Sequence, residues 1–233
     1  MAISLIKAAE IIEYASCPLK HYYGFYKPDL QSMRPKTYRN QLIVKLLHEA
    51  AQLKAKKRYT TTSDFIDDYS VNIFGWLTQQ GWIPEDYTRM IAAGRLTLIA
   101  NLRIIEKEKI TRGAVTKKKI LMPHYITITA PVDFSVGKFN WVISYTKRRS
   151  VFELERHILH AVYRVLDLPK LRVLHVPTRS VSKFVASAKQ RKAAKIWVTN
   201  ISRSIKDKRY YPVKGACLHC MYRGICDPKT IIK

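Results

Sequence analysis

The distribution of cysteines constrains this chain more than any other feature. Three of its four cysteines, Cys217, Cys220 and Cys226, lie within ten residues, and the fourth, Cys17, lies 200 positions earlier. Four thiolates form a ligand set for a structural zinc ion or an iron–sulfur cluster, because soft metals prefer sulfur ligands. Three ligands on one short loop need one distant ligand to close the site. We therefore expect the fold to bring Cys17 to the C-terminal loop.

Two other uses of the cysteines compete with a metal site. The count permits two disulfide bonds, but the sequence shows no secretory-signal pattern and is not a small cysteine-dense domain, so we expect no oxidising compartment. Buried thiols without ligands are common, yet chance rarely places three of four cysteines within ten residues. The pattern favours a metal site.

The chain is strongly basic. Its 233 residues include 42 Lys and Arg against 17 Asp and Glu, which gives a net charge of +25. A small soluble domain usually carries a net charge of roughly 2–8, so this excess favours a polyanionic partner, and nucleic acid above all. No apolar run approaches the roughly 20 residues that span a bilayer, so we expect no membrane partner. Neither of the common glycine-rich phosphate-binding motifs occurs.

The hydrophobic periodicity changes near the middle of the chain. Helical spacing predicts helices over 3–14, 37–57, 85–109, 151–166 and 183–206, and Ser63 and Asp64 are typical of a helix N-cap. Alternation predicts strands over 125–136, 139–146 and 171–176, the first two joined as a hairpin by Gly137 and Lys138. Helices between strands indicate an α/β (α+β) fold with a helical N-terminal half.

Several residues in this order resemble the RecB-like nucleases of the PD-(D/E)XK superfamily that carry an iron–sulfur cluster. That group includes the AddB nuclease domain and the RecB-like CRISPR-associated exonuclease. The resemblance covers essentially the whole chain. The residues that carry it are Tyr14-x-x-Cys17-Pro18-Leu19-Lys20-x-Tyr22-Tyr23, then His48, then Asp133, then Cys217-x2-Cys220-x5-Cys226.

The resemblance implies a PD-(D/E)XK-like central sheet flanked by helices and two sites. Cys17, Cys217, Cys220 and Cys226 would hold a [4Fe–4S] cluster as a C-terminal clasp, with a structural zinc ion as the alternative that spacing leaves open. His48 and Asp133 would bind Mg²⁺ or Mn²⁺, which neutralises phosphate charge and activates water for phosphodiester hydrolysis. A histidine in an apolar helix is also often a core residue, and an aspartate often caps a turn.

Four positions depart from the family pattern. Ser144 stands at the position of the second acid and Thr146 at that of the lysine. Lys147 is one residue out of register, so it replaces that lysine only if a bulge turns it. Val44 stands where the family has a glycine, and the Gln-x3-Tyr motif keeps only Tyr163, with Leu159 at the glutamine position. Glu49 and Glu153 are the acids that would have to compensate.

Three functions follow from these features. The first is a DNA-binding iron–sulfur protein with weakened or lost nuclease chemistry, acting with protein partners in a DNA-handling complex. The second is an active Mg²⁺- or Mn²⁺-dependent DNA exonuclease with a rearranged site. The third is a structural component with a basic surface, in which case we expect a viral particle as its location. The first two predict an intracellular, cytoplasmic protein.

DNA contact is predicted on the last long helix rather than on the other basic runs, 117–119 and 147–149. A solvated basic helix face is the alternative there. The candidate residues are Lys189, Arg191, Lys192, Lys195, Arg203 and Lys206. We expect one RecB-like domain over 1–233, with a cluster-ligand segment (1–36), a helical part (37–112), an α/β core (113–206) and a clasp (207–233).

Overall fold

The computed structural model describes residues 4–26, 34–59, 61–121, 124, 126–145, 160–166, 168, 170–185, 187–211, 213 and 226. The helices are α1 (Ala8–Ser16), α2 (Pro18–Tyr26), α3 (Pro35–Ala55), α4 (Thr62–Gln79), α5 (Thr88–Lys107), α6 (described over 160–165) and α7 (Ala188–Lys206). The strands are β1 (Ser4–Lys7), β2 (Val115–Leu121), β3 (Ile126–Val132), β4 (Phe134–Val136), β5 (Phe139–Ser144), β6 (Lys170–His175) and β7 (Ser180–Val185). The prediction of a mixed α/β fold is confirmed. No described helix is both long and apolar enough to cross a membrane.

Helices α3, α4 and α5 form a lobe as predicted, with small differences at their ends. The helix predicted over 37–57 is confirmed as α3. Helix α4 begins two residues earlier than predicted because Thr61, not Ser63, is the N-cap. Thr61 accepts a bond from the backbone of Asp64, whose side chain bonds back to Thr61. The helix predicted from residue 85 begins as a 3₁₀ turn, Pro84–Tyr87, before α5.

The first sheet has the strand order β1-β3-β2, with β1 parallel and β2 antiparallel to β3. The prediction of a helix over 3–14 is therefore wrong for its first residues, and the helix begins at Ala8. Residues 4–7 extend because Ile6 is buried while its neighbours Leu5 and Lys7 are exposed, an alternation that suits a strand. Strand β2, with three lysines in its middle, was not predicted.

The second sheet has the order β4-β5-β6-β7 and lies between two cores. Strands β5 and β6 are parallel, and their side chains alternate between the cores. The first core includes Ile11, Leu19, Ile128, Val142, Val173 and Val198. The second core includes Ile43, Leu47, Tyr69, Leu102, Trp141, Ile143 and Leu174. A sheet covered on both faces agrees with the expectation of a central sheet flanked by helices.

The predicted hairpin is present, but its first strand is divided. Gly137 and Lys138 form the turn, and Gly137 has a φ of +55°, which glycine adopts without steric cost. The strand predicted over 125–136 breaks at Asp133 into β3, which belongs to the first sheet, and β4, which belongs to the second. Strand β5 ends at Ser144, and residues 146–150 lie outside the described part. Asp133 therefore lies at the junction of the two sheets.

The long helix predicted over 183–206 begins later than expected. Residues 180–185 form β7, antiparallel to β6, and Ser187 caps α7 with Gln190. In β7 the exposed residues Lys183 and Val185 alternate with the partly buried Phe184. Lys183 therefore belongs to the exposed face of a strand and not to the predicted helix. The strand predicted over 171–176 is confirmed as β6, and of the helix predicted over 151–166 only 160–165 are described.

Candidate functional site

The structure brings together the two predicted metal ligands. His48 lies in the second half of α3, and Asp133 lies between β3 and β4. Their side chains approach to 3.1 Å between Nε2 of His48 and Oδ1 of Asp133. These residues are 85 positions apart in sequence, so only the packing of α3 against the sheet junction makes them neighbours. The two residues that were predicted to share a metal ion are therefore in contact in the structure.

Asp133 is also tied into the fold. Its side chain is 5% exposed, and its Oδ2 accepts a hydrogen bond of 2.5 Å from the backbone N–H of Ile143. Its own backbone N–H donates to the carbonyl of Trp141 at 2.9 Å. These two bonds attach the strand break to β5, because they pair backbone groups that the ladder alone leaves unpaired at this point. The carboxylate thus has one oxygen used by the fold and one directed to His48.

His48 does not fit the description of a satisfied core histidine. Its side chain is 42% exposed, although Nε2 itself is shielded from solvent. Among the described residues, Nε2 has no hydrogen-bond partner of normal geometry, despite its proximity to Asp133. Two ligands of an octahedral ion with bonds of 2.0–2.1 Å lie about 2.9 Å apart when adjacent. The separation of His48 and Asp133 is close to that value.

The third metal-ligand position carries no carboxylate. Ser144 is partly buried at the end of β5, beside His175 of β6. Glu49 is exposed on α3, whereas Thr146, Lys147 and Glu153 lie outside the described residues. Within the described ranges, no group of three or more His, Cys, Asp and Glu side chains could hold one metal ion. The described site therefore offers one imidazole and one carboxylate.

Tyr163 lies near Asp133. Its side chain is buried on α6, and its hydroxyl donates to the carbonyl of Pro131, two residues before Asp133. Burial, and secondarily the negative charge of Asp133, raise the pKa of Tyr163 far above its usual value. Tyr163 therefore stays protonated and acts as a hydrogen-bond donor that holds β3 against α6. Leu159, at the glutamine position, lies outside the described residues.

A cationic residue near the end of β5 was not predicted. Arg39 of α3 donates to the hydroxyl of Tyr145 at 3.3 Å and to Oδ1 of Asn40 at 2.8 Å. Tyr145 directly follows Ser144, so Arg39 contacts the side chain of the residue that follows β5. The sequence alone carries no signal for Arg39, because nothing in its spacing distinguishes it from the other 41 basic residues.

The segment of Cys17 packs against the segment that leads into the cysteine loop. The backbone N–H of Leu19 donates to the carbonyl of Tyr211 at 3.2 Å, and the hydroxyl of Tyr14 donates to the carbonyl of Arg209. The ring of His21 stacks on Tyr210 with centroids 5.9 Å apart. These contacts join regions almost 200 residues apart.

Two of the four predicted cluster ligands lie in the described part of the chain. Cys17 is buried in the first core, and Cys226 is partly buried against the same core. Cys217 and Cys220 lie outside the described residues. A shared core for Cys17 and Cys226 is what a four-thiolate site that joins the two segments would need.

The predicted DNA-binding residues all lie on α7. Five of the six are exposed and Arg191 is partly buried, while Ala194, Val198, Ser202 and Ile205 face the first core. At 100° per residue, Lys189, Lys192 and Arg203 lie opposite the buried face. The helix therefore presents a basic stripe to solvent. Of the other basic runs, 117–119 lies on β2 at the edge of the first sheet, and 147–149 lies outside the described residues.

Comparison with known proteins adds no relative to this geometry. No protein-family model matches the chain, and no curated protein matches it. The resemblance to RecB-like nucleases therefore rests on the cysteine motif, His48, Asp133 and Tyr163.

Proposed function

We propose that this protein binds DNA through a RecB-like nuclease fold whose hydrolytic chemistry is weakened or lost. It would act with protein partners in a DNA-handling complex. The observation that carries the proposal is the pair formed by His48 and Asp133 beside Ser144. The pair supports an inherited metal site, and the serine supplies no carboxylate to complete it. One carboxylate neutralises less of the positive charge of the ion than two would, so we expect Mg²⁺ or Mn²⁺ to bind weakly.

The cluster belongs to the same proposal. Cys17, Cys217, Cys220 and Cys226 would hold a [4Fe–4S] cluster, or a zinc ion, that fastens the N-terminal segment to the C-terminal one. The common core of Cys17 and Cys226 and the bond from Leu19 to Tyr211 support this arrangement. Closing a loop of about 200 residues restricts the unfolded chain, so the bound group would stabilise the fold and not perform the hydrolysis.

DNA binding by α7 is tested by its salt dependence. On single strands, the logarithm of affinity falls linearly with the logarithm of salt concentration, and each phosphate contact adds about 0.7 to the steepness of that slope. We expect Lys189→Glu, Lys192→Glu and Arg203→Glu together to reduce the slope by about 2. The matched control is Lys56→Glu, Lys57→Glu and Arg58→Glu, which makes the same charge change at the exposed end of α3. Equal slopes for the two triple variants would place the contacts elsewhere.

Hydrolysis separates the two nuclease hypotheses. The convergence of His48 and Asp133 favours an active exonuclease as the second candidate. We expect the cluster-loaded protein with Mg²⁺ or Mn²⁺ to leave single-stranded DNA intact. Degradation that Asp133→Asn abolishes would instead establish the active enzyme, with a third metal ligand drawn from Glu49 or Glu153 and with Lys147 in place of the family lysine.

A further inference from the structure

One segment of this basic chain is acidic. Residues 59–88 contain no Lys, Arg or His and five acidic residues, so the segment carries −5 and the rest of the chain carries +30. All five acids are exposed: Asp64, Asp67, Asp68, Glu85 and Asp86. A region so depleted of cations in such a chain has a charge opposite to that of the surface around it. DNA and anionic lipid would be repelled by it.

The acidic segment also exposes apolar side chains. The buried face of α4 packs into the lobe through Phe65, Tyr69, Ile73 and Leu77. Its outer face carries Asp67, Val71 and Phe74, at spacings of four and three residues, and Val71 is 71% exposed. Trp82 and Ile83 follow the helix and are exposed as well, Ile83 at 62%. We define these residues, with the acids at both ends, as the acidic face.

Helix α7 carries the complementary arrangement. Lys189 and Lys192 precede the exposed Ile196, which is 58% exposed, and Arg203 and Lys206 follow it. Trp197 is exposed beside Ile196. Along α7, cations thus lie on both sides of an apolar centre. On the acidic face, anions lie on both sides of an apolar centre. Lys192 and Ile196 are four residues apart, as are Asp67 and Val71, so the two helices can oppose these pairs at the same spacing.

We propose that the acidic face of one copy binds helix α7 of a second copy. Opposite charges at the ends would orient the two helices, and burial of Val71 and Phe74 against Ile196 and Trp197 would supply the apolar contact. Because the two faces differ, a pair of copies joined by one contact keeps one free acidic face and one free helix α7. The association is therefore head-to-tail and builds rings or chains of copies. The interface uses Lys192 and Arg203, which the proposed DNA binding also uses, so DNA and a second copy would compete for helix α7.

The experiment is a charge exchange on the full, cluster-loaded chain freed of nucleic acid. The first variant is Asp67→Lys with Asp68→Lys, and the second is Lys192→Glu with Arg203→Glu. Size-exclusion chromatography with light scattering at low salt should show the wild type above its monomer mass of 27.1 kDa. Each variant alone should be monomeric, because the side chains at positions 67, 68, 192 and 203 then all carry charge of one sign. An equal mixture of the two variants should associate again, because opposite faces are restored between them.

Controls keep this result interpretable. Lys56→Glu with Lys57→Glu alters the charge by the same amount as the second variant, at exposed residues after α3 that belong to neither face, and should leave association unchanged. All altered residues are exposed, and equal thermal unfolding of the variants establishes that each is folded. A wild type that stays monomeric at high concentration and low salt would overturn the proposal. So would two variants that associate as the wild type does, or a mixture that remains monomeric.

Discussion

Replacing Asp133 separates its role in the fold from its role as a candidate ligand. Asp133→Ala removes the acceptor of the Ile143 N–H, and Ile143 is itself buried. A buried donor left without a partner costs about 1–3 kcal/mol, so we expect the free energy of unfolding to fall by about 2 kcal/mol. Asp133→Asn keeps a side-chain oxygen for this bond and loses only the charge. Its expected cost is therefore about 1 kcal/mol.

Circular dichroism measures the free energy of unfolding of both variants in urea and their melting temperatures on heating. For a chain of this length, about 2 kcal/mol corresponds to a lowering of the melting temperature by roughly 4–8 °C. The alanine variant should thus melt clearly below the asparagine variant, and both below the wild type. If the alanine variant is as stable as the asparagine variant, the bond to Ile143 does not support the strand break. The reasoning about Asp133 would then be refuted.

Three further predictions concern the lobe and the clasp. Gly94→Ala should lower the free energy of unfolding by about 1–3 kcal/mol, because a Cβ there would clash with the hydroxyl of Tyr69. Gly75→Ala is the control: its Cβ would meet no atom within 4 Å, so it should stabilise α4 by up to about 1 kcal/mol in the same urea assay. Burial raises the pKa of Tyr69 from 10.0 to about 12, so the folded state keeps this proton to higher pH than the unfolded chain does. The urea midpoint should therefore be constant up to about pH 10 and fall towards pH 12, and it should fall less steeply in Tyr69→Phe. Anaerobically purified protein should show a broad absorbance band near the blue end of the visible that Cys17→Ser removes; a colourless, zinc-loaded protein would exclude the cluster.

The fold could be predicted where one pattern dominates the sequence. Helix α3 has apolar residues at regular helical spacing and was located to within two residues. Strands β1, β2 and β7 were missed because they are edge strands whose pattern is polar or ambiguous. In β2 the lysines at 117–119 were interpreted as a basic run, yet the strand pairs only with β3. Lysines on an edge strand also oppose unwanted pairing with other chains, a role that tertiary position alone reveals.

The candidate site could be predicted in part for a similar reason. His48, Asp133 and Tyr163 follow a family spacing, and the structure places Asp133 beside both other residues. The contact between Arg39 and Tyr145 follows from how α3 packs on β5, and no local pattern encodes it. The division of the strand at Asp133 could not be predicted either, because the alternation of apolar and polar residues continues through the break from β3 into β4.

The two residues of the pair differ in what their presence means for function. Asp133 has a structural role, since its carboxylate holds the Ile143 N–H at the junction of the two sheets. A chain that had lost all metal chemistry would still need it, so Asp133 alone is weak support for a metal site. His48 has no comparable structural role, because its side chain is half exposed and its shielded Nε2 makes no normal hydrogen bond within the described residues. His48 is therefore the residue whose replacement should cost little stability and most of any Mn²⁺ affinity. Comparing His48→Ala with the wild type by isothermal titration would show whether the metal site survives.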